Sequence, residues 1–158
     1  GMETAEIVRG ITDTVGPGAI VAIDALAARS LTRIASSIQV SDTGIRPGSG
    51  LGNRRKGIDQ STMGVPVIAI GVPLVLYAST IVRDTVEQVL SDMNVGAEDA
   101  MNMLDFVHTK AVDEMGDMVV TPKEVDELVE KCSGLVADAL NMALHQSISL
   151  EDVRRFMS

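Results

Sequence analysis

A short apolar run that ends in one acidic residue places the strongest constraint on the fold of this chain. Residues 19–23 read Ala-Ile-Val-Ala-Ile and predict a buried strand, with Asp24 at its carboxyl end. In open α/β sheets, ligands bind beyond the carboxyl ends of the strands. A carboxylate there is costly to desolvate, so we expect Asp24 to have either a structural partner or a chemical role.

Further strands and helices follow in an order that predicts an α/β fold. Helical spacing covers residues 3–15, strands are predicted at 37–40 and 67–70, and a helix is predicted at 74–93. This order predicts a mainly parallel sheet flanked by helices. Three strands are few for such a sheet, so either the sheet is small or an upstream part of the domain is missing.

The second half of the sequence is predicted to be helical. An acidic, methionine-rich pattern predicts a helix over residues 97–115. Thr121 and Pro122 predict the N-cap and first residue of a helix that reaches about residue 145. Ser149 and Asp152 predict the start of a last short helix.

Length and charge limit the classes of function. The 158 residues suit a single domain, with a sheet-forming part at 1–93 and a helical part at 94–158. The formal net charge of −9 argues against nucleic acid and anionic membranes as partners. No apolar run is long enough to predict a membrane-spanning helix. The single cysteine, Cys132, excludes an intramolecular disulfide and fits a reducing, intracellular compartment.

Two aspartates are candidate catalytic groups. Asp24 and Asp42 each follow a predicted strand, and if those strands are neighbours, both carboxylates reach one edge of the sheet. Two carboxylates can divide the roles of acid and base when their environments separate their pKa values. The alternative, which the Ser-Asp-Thr-Gly context favours for Asp42, is that each aspartate caps a following turn or helix.

The glycine-rich segment 42–53 is a second candidate site. It lacks the ending of a phosphate-binding P-loop and the spacing of a dinucleotide fingerprint, so its amides either line a substrate groove or belong to a surface loop. The residues of interest are Asp42, Gly44, Arg46, Gly48, Ser49, Gly50 and Asn53. Basic residues concentrate around it and either balance local carboxylates or contact an acidic partner: Arg29, Arg33, Arg46, Arg54, Arg55 and Lys56.

No metal or other cofactor is expected. His108 and His145 are isolated on predicted helices, without further ligands at metal-binding spacing. Cys132 also lies on a predicted helix, where a structural thiol is the ordinary interpretation.

Several long, irregular segments carry a family resemblance over nearly the whole chain. Two of them are Ala22-Ile-Asp-Ala-Leu-Ala-Ala-Arg-Ser30 and Ile38-Gln-Val-Ser-Asp-Thr-Gly-Ile-Arg-Pro-Gly-Ser-Gly-Leu-Gly-Asn53. The others span residues 2–7, 64–73, 119–126 and 140–145. These segments resemble the germination endopeptidases, or spore proteases, of endospore-forming bacteria.

The resemblance implies a fold similar to that of hydrogenase-maturation peptidases. It implies hydrolysis of small acid-soluble spore proteins during germination in the cytoplasm of the spore, an inactive zymogen and a homotetramer. It also implies catalysis by two aspartates without a metal. Asp24 matches one aspartate, and the other belongs to a Thr-Pro-Asp-Ala-Leu-Gly-like segment that this sequence does not contain. The chain therefore resembles the C-terminal portion of such an enzyme, without its N-terminal strands and with little activity by itself.

We predict from these observations an aspartate-dependent endopeptidase in which Asp24 is catalytic and segment 42–53 borders the groove. The alternative is a noncatalytic α/β binding module that uses the glycine-rich segment to hold a ligand. A nucleotide-binding domain is a third interpretation, and the sequence supports it least.

Overall fold

The computed structural model describes residues 4–46 and 56–145, together with residues 147, 149, 151, 152 and 155. Two compact units are present, Gly1–Thr121 and Pro122–Ser158. Helix and strand segments beyond residue 93 pack within the first unit.

The first unit contains a four-stranded mixed sheet. Its strands are β1 (Ile20–Ala27), β2 (Gln39–Ser41), β3 (Val67–Tyr77) and β4 (Val119–Val120). The order is β1-β3-β2, and β4 pairs with the end of β3. β1 runs parallel to β3, whereas β2 and β4 run antiparallel to it.

The expectation of a mainly parallel sheet is confirmed for β1 and β3 and is wrong for β2 and β4. Parallel neighbours need a long crossover, usually a helix. The connection between β1 and β2 contains only one turn of 3₁₀ helix, Leu31–Arg33. β2 therefore returns along β3 in the opposite direction.

Five α-helices complete the described part of the chain. They are α1 (Thr4–Val15), α2 (Gln60–Met63), α3 (Ala78–Asp92), α4 (Ala97–Met115) and α5 (Val125–Leu144). The bounds of α4 agree with the prediction. α5 begins after Glu124 instead of Thr121, because a turn at residues 123–124, in which the Val125 N–H donates to the Pro122 carbonyl at 3.2 Å, precedes it. At the predicted last helix, Ser149 Oγ accepts the Asp152 N–H and the Asp152 carboxylate accepts the Ser149 N–H.

β3 is longer than the predicted strand at 67–70, and the following helix starts later than predicted. Gly71 and Pro73 resemble strand breaks in the sequence, yet both lie inside β3. Pro73 is tolerated because β2 pairs only with residues 69–71 and has ended at this point. The Pro73 carbonyl is still used, since it accepts the N–H of Ala35 at 2.7 Å.

The hydrophobic core of the sheet lies under α1, on one face only and near the starts of β1 and β3. Its fully buried members are Ala5, Ile58, Met63 and Val67, and Ile20 and Ala22 of β1 pack against them. Farther along β1 and β3 the same face is not covered by α1. This uncovered part of the sheet carries the candidate site.

The opposite face of the sheet exposes apolar side chains. Ile23 and Val40 have 55% and 68% of their surface exposed, and Val21 and Ile68 are also exposed. Contiguous apolar surface of this kind is typical of an interaction site.

Candidate active site

Asp24 is the fifth residue of β1 and lies opposite Gly71 of β3. Gly71 in turn lies opposite Gln39 of β2. Directly paired residues point to the same side of a sheet, so all three share the face that carries the α1 core. Asp24 is half-buried.

The expected position of Asp24 at the end of its strand is wrong. Residues 25–27 continue β1 and pair with Val72 to Val75 of β3. Small and apolar residues in this segment allow the pairing to continue past the aspartate. Asp24 therefore lies within the sheet surface, three residues before the end of the strand.

One oxygen of the Asp24 carboxylate accepts a hydrogen bond at the outer edge of β1. Asp24 Oδ1 accepts the Ala25 N–H at 2.9 Å. The N–H groups of Ile20 and Ala28 donate toward β3, so the N–H of Ala25 points away from β3 by the alternation of a parallel strand. Oδ2 makes no hydrogen bond with the described residues, which leaves it open to water or a ligand.

A cavity of about 490 Å³ lies on the uncovered part of this face. Asp24 does not line it, but its neighbours Gly71 and Leu26 do. The complete lining is Leu26, Gln39, Ser41, Thr43, Gly44, Ile45, Arg46, Asp59, Ala69 and Gly71. The cavity, which we call the β2 groove, therefore begins beside Asp24 and extends over β3 to β2.

The floor of the β2 groove is formed by small residues of β3. A Cβ at Gly71 would lie 2.7 Å from Cγ of Leu26, so the Leu26 side chain occupies that space. Ala69 is also buried in the floor. Leu26 therefore covers Gly71 and forms part of the floor.

The first residues of the glycine-rich segment line the β2 groove. Ile45 and Ile58 exchange two backbone hydrogen bonds, of 2.9 and 2.7 Å, which attach the start of the segment to the residues just before α2. Gly44 has a φ of +80°, and a Cβ there would lie 2.6 Å from Cβ of Asp59. Glycine is therefore required at position 44 for this closure.

Only some of the expected groove residues line the groove. Gly44 and Arg46 do, and Asp42 is exposed and does not. Gly48, Ser49, Gly50 and Asn53 lie outside the described residues.

Asp24 and Asp42 do not meet at one edge. β3 lies between β1 and β2, and β2 is antiparallel, so Asp42 leaves the sheet beyond Ala69, near the start of β3. Their carboxylates were expected to meet only if β1 and β2 were neighbouring strands, and they are not. The strand order therefore gives no support to a catalytic pair made of these two aspartates.

Asp59 is a groove carboxylate that the sequence interpretation missed. It is the N-cap of α2 and forms a capping box with Thr62, whose hydroxyl accepts the Asp59 N–H at 3.1 Å. The Ser61 hydroxyl and the Thr62 N–H donate to Oδ1 and hold the pKa of Asp59 below its ordinary value of 3.8. The sequence Asp59-Gln-Ser-Thr62 carries the capping signal. Asp59 therefore acts structurally at the wall of the groove.

A second cavity, of about 650 Å³, adjoins the first beyond the end of β1. The two cavities share Leu26 and Gln39. Arg29, Arg33, Ser37 and Tyr77 provide its polar lining. We call this cavity the arginine pocket.

Two further observations concern metal binding and membrane-spanning helices. Within the described residues, no three His, Cys, Asp or Glu side chains are grouped closely enough to hold a metal ion. In the same part of the chain, no helix is both long and apolar enough to cross a membrane.

The fold and the site define an α/β protein with a half-exposed aspartate beside a groove on a mixed sheet. A profile of the germination protease family matches residues 1–104. The chain therefore belongs to the germination protease family.

Curated relatives agree with this family. The chain is 39% identical to a germination protease of Clostridium perfringens and 42% identical to one of Clostridium acetobutylicum, and both alignments cover 100% of this chain and 52% of the relative. A germination protease of Bacillus subtilis is 37% identical over 96% of this chain and 53% of the relative. The chain spans about half the length of the curated relatives that it matches.

Proposed function

We propose that this chain contributes Asp24 as a catalytic carboxylate to an endopeptidase. The observation that carries the proposal is the Asp24 carboxylate itself, which is half-buried and has one oxygen free of hydrogen bonds to the described residues. Asp24 lies opposite Gly71, which lines the β2 groove. Family membership supports peptide-bond hydrolysis as the reaction.

The proposed chemistry is general acid–base catalysis. One carboxylate accepts a proton from a water molecule, and the water oxygen forms a bond to the peptide carbonyl carbon. The C–N bond then breaks, and a second carboxyl group gives its proton to the departing amine. Asp24 takes one of these roles, and an aspartate upstream of it, as implied by the family resemblance, takes the other.

The groove positions the substrate in this proposal. An extended peptide lies over Ala69 and Gly71, between Asp24 on one side and Gln39 and Ser41 on the other. Backbone amides of segment 42–53 stabilise the developing oxyanion, and Gly44 holds the start of that segment at the groove.

The finer family features are part of the same proposal. The substrate is a small acid-soluble spore protein, the enzyme acts in the cytoplasm of the spore and its fold is similar to that of hydrogenase-maturation peptidases. The exposed apolar residues of the opposite sheet face support assembly into a homo-oligomer.

Cleavage by the full-length polypeptide that carries this sequence tests the proposal. The purified protein is incubated with a small acid-soluble spore protein, and mass spectrometry identifies the products. We expect a specific cut that Asp24→Asn removes and Asp105→Asn, an exposed position on α4, leaves unchanged. Equal cleavage by the wild type and Asp24→Asn would contradict the role of Asp24 and favour a binding module instead.

A further inference from the structure

Gln39 of β2 lies across the central strand from Asp24, on the same face of the sheet. In the register Asp24 is paired with Gly71, and Gly71 is paired with Gln39. Neighbouring strands lie about 4.8 Å apart, so the Cα atoms of Asp24 and Gln39 are roughly 10 Å apart. The middle residue of this row has no side chain of its own, and the Leu26 side chain covers it. A carboxylate and an amide therefore lie on opposite sides of a gap that is as wide as one strand.

The other polar side chains of the β2 groove are less suited to bind the main chain of a peptide. The hydroxyl groups of Ser41 and Thr43 share a hydrogen bond of 2.5 Å, and Ser41 Oγ also accepts the Thr43 N–H at 3.0 Å. Asp59 is engaged in the cap of α2. The guanidinium group of Arg46 only donates hydrogen bonds, so it cannot accept a peptide N–H.

The side-chain amide of Gln39 is available to a ligand. Gln39 is exposed, and its side chain makes no hydrogen bond with the described residues. The amide offers an acceptor oxygen and two N–H donors, so it can both accept and donate. Gln39 lines the β2 groove and also the arginine pocket, which places it where the two cavities adjoin.

We propose that the Gln39 amide binds the main chain of the peptide in the β2 groove, at a residue next to the scissile bond. In an extended chain the N–H and C=O of one residue point to the same side, and those of the next residue point to the opposite side. When the scissile carbonyl points to Asp24, both groups of an adjacent residue therefore point to Gln39. Oε1 of Gln39 accepts the peptide N–H, and Nε2 donates to the peptide C=O.

This inference rests on the proposed peptidase function for the identity of the ligand as a peptide and for the scissile bond. Main-chain hydrogen bonds give affinity for an extended peptide without specifying its side chains. The pairing of β2 with residues 69–71 of β3 sets the position of Gln39 relative to Asp24. Gln39→Leu should therefore lower kcat/KM by a similar factor for cleaved peptides of different sequence.

N-methylation of the peptide backbone tests the contact. Overlapping fluorescein-labelled peptides of a small acid-soluble spore protein are first screened by fluorescence anisotropy against the full-length Asp24→Asn protein. The tightest binder is then synthesised again with one N-methylated residue at a time. Dissociation constants are measured for the Asp24→Asn protein with and without Gln39→Leu, which removes both hydrogen-bonding groups. The matched control is Gln88→Leu, at an exposed position on α3.

We expect Gln39→Leu to weaken binding of the unmodified peptide about tenfold, which is a usual size for the loss of two neutral hydrogen bonds. At one position, N-methylation should weaken binding about threefold more when Gln39 is present than with Gln39→Leu, because only Gln39 accepts the missing N–H. N-methylation at the other positions should have equal effects on both proteins. Gln88→Leu should change binding less than about twofold, and circular dichroism checks that the variants are folded.

Equal effects of N-methylation with and without Gln39→Leu at every position would overturn the proposal, as would the failure of every screened peptide to bind. A sensitive position that does not adjoin the cut mapped with the parent protein would also overturn it. If one position is sensitive through Gln39 but the parent does not cleave, the peptidase function fails and Gln39 remains a peptide-binding residue. If the parent and Gln39→Leu cleave with equal kcat/KM, the role of Gln39 fails and the peptidase function remains.

Discussion

Gly71 shows how one residue connects the packing of the sheet to the candidate site. It lies between Asp24 and Gln39 in the register, and the Leu26 side chain fills the space beside it. A glycine inside a strand often marks the close approach of another group, and here that group is Leu26. The floor of the β2 groove therefore depends on the absence of a side chain.

We expect Gly71→Ala to lower the free energy of unfolding by about 1–3 kcal/mol, because the added methyl group overlaps the Leu26 side chain. Chemical denaturation measures this change. Gly10→Ala is the matched control, since nothing lies within 4 Å of a Cβ at that helix position, and it should leave stability unchanged or raise it. If Leu26→Ala added to Gly71→Ala restored no stability, overlap with Leu26 would not be the cause.

The cap of α2 gives a prediction about pH. The pKa of Asp59 is lowered by hydrogen bonds from Ser61 and Thr62, so Asp59 stabilises the folded state when it is ionised. This contribution is fully present above the ordinary value of 3.8 and is lost as the pH falls through the lower folded-state pKa.

Melting temperatures of the wild type and Asp59→Asn between pH 7 and pH 2.5 measure the effect. Asparagine can cap the helix but does not titrate, so we expect the advantage of the wild type at neutral pH to shrink below about pH 4. A difference that stays constant over the whole range would show that ionisation of Asp59 does not contribute.

At the scale of elements, β3 is the centre of the first unit. It pairs with β1, β2 and β4, and most of its side chains are buried. Leu76 has 0% of its surface exposed. The stability of the sheet therefore depends mainly on this strand.

We expect Leu76→Ala to cost about 2–5 kcal/mol of unfolding free energy, because it leaves a cavity in a closely packed site. Val89→Ala, at a position on α3 that is 49% exposed, should cost far less. Denaturant titrations of both variants make the comparison. Similar losses at the two positions would argue against β3 as the structural centre.

The sequence was most informative about elements with clear periodicity. The bounds of α4 and the start of β1 follow from the pattern of apolar residues. The ends of β1 and β3 do not, because Asp24, Gly71 and Pro73 resemble strand breaks when each is considered alone. Their tolerance depends on which residues stand opposite in the sheet, and the local sequence does not contain that information.

The sequence likewise identified some residues of the candidate site and missed others. Asp24, Gly44 and Arg46 were identified from the sequence, and the last two line the β2 groove. The roles of Gln39 and Leu26 depend on strand order, which the sequence does not specify. Asp59 was not predicted although its capping pattern is visible in the sequence, because α2 has only four residues and no helical periodicity reveals it.

At the scale of the whole molecule, charge and surface are distributed unevenly. The chain is acidic overall, yet Arg29, Arg33 and Arg46 line the two adjoining cavities on one side of the sheet. The opposite side of the sheet is apolar and exposed. The arginines that line cavities and the exposed apolar residues of the sheet therefore occupy different surfaces.

The most direct test of the central role of Asp24 is kcat for the full-length Asp24→Asn variant, with the unfolding free energy measured on the same sample. We expect kcat to fall by about 10²- to 10⁴-fold, which is the usual contribution of a general acid or base. The unfolding free energy should change little, because the side chain makes one hydrogen bond to the described residues and asparagine can retain it. A large loss of stability with only a partial loss of kcat would show that Asp24 is structural and would contradict the catalytic role.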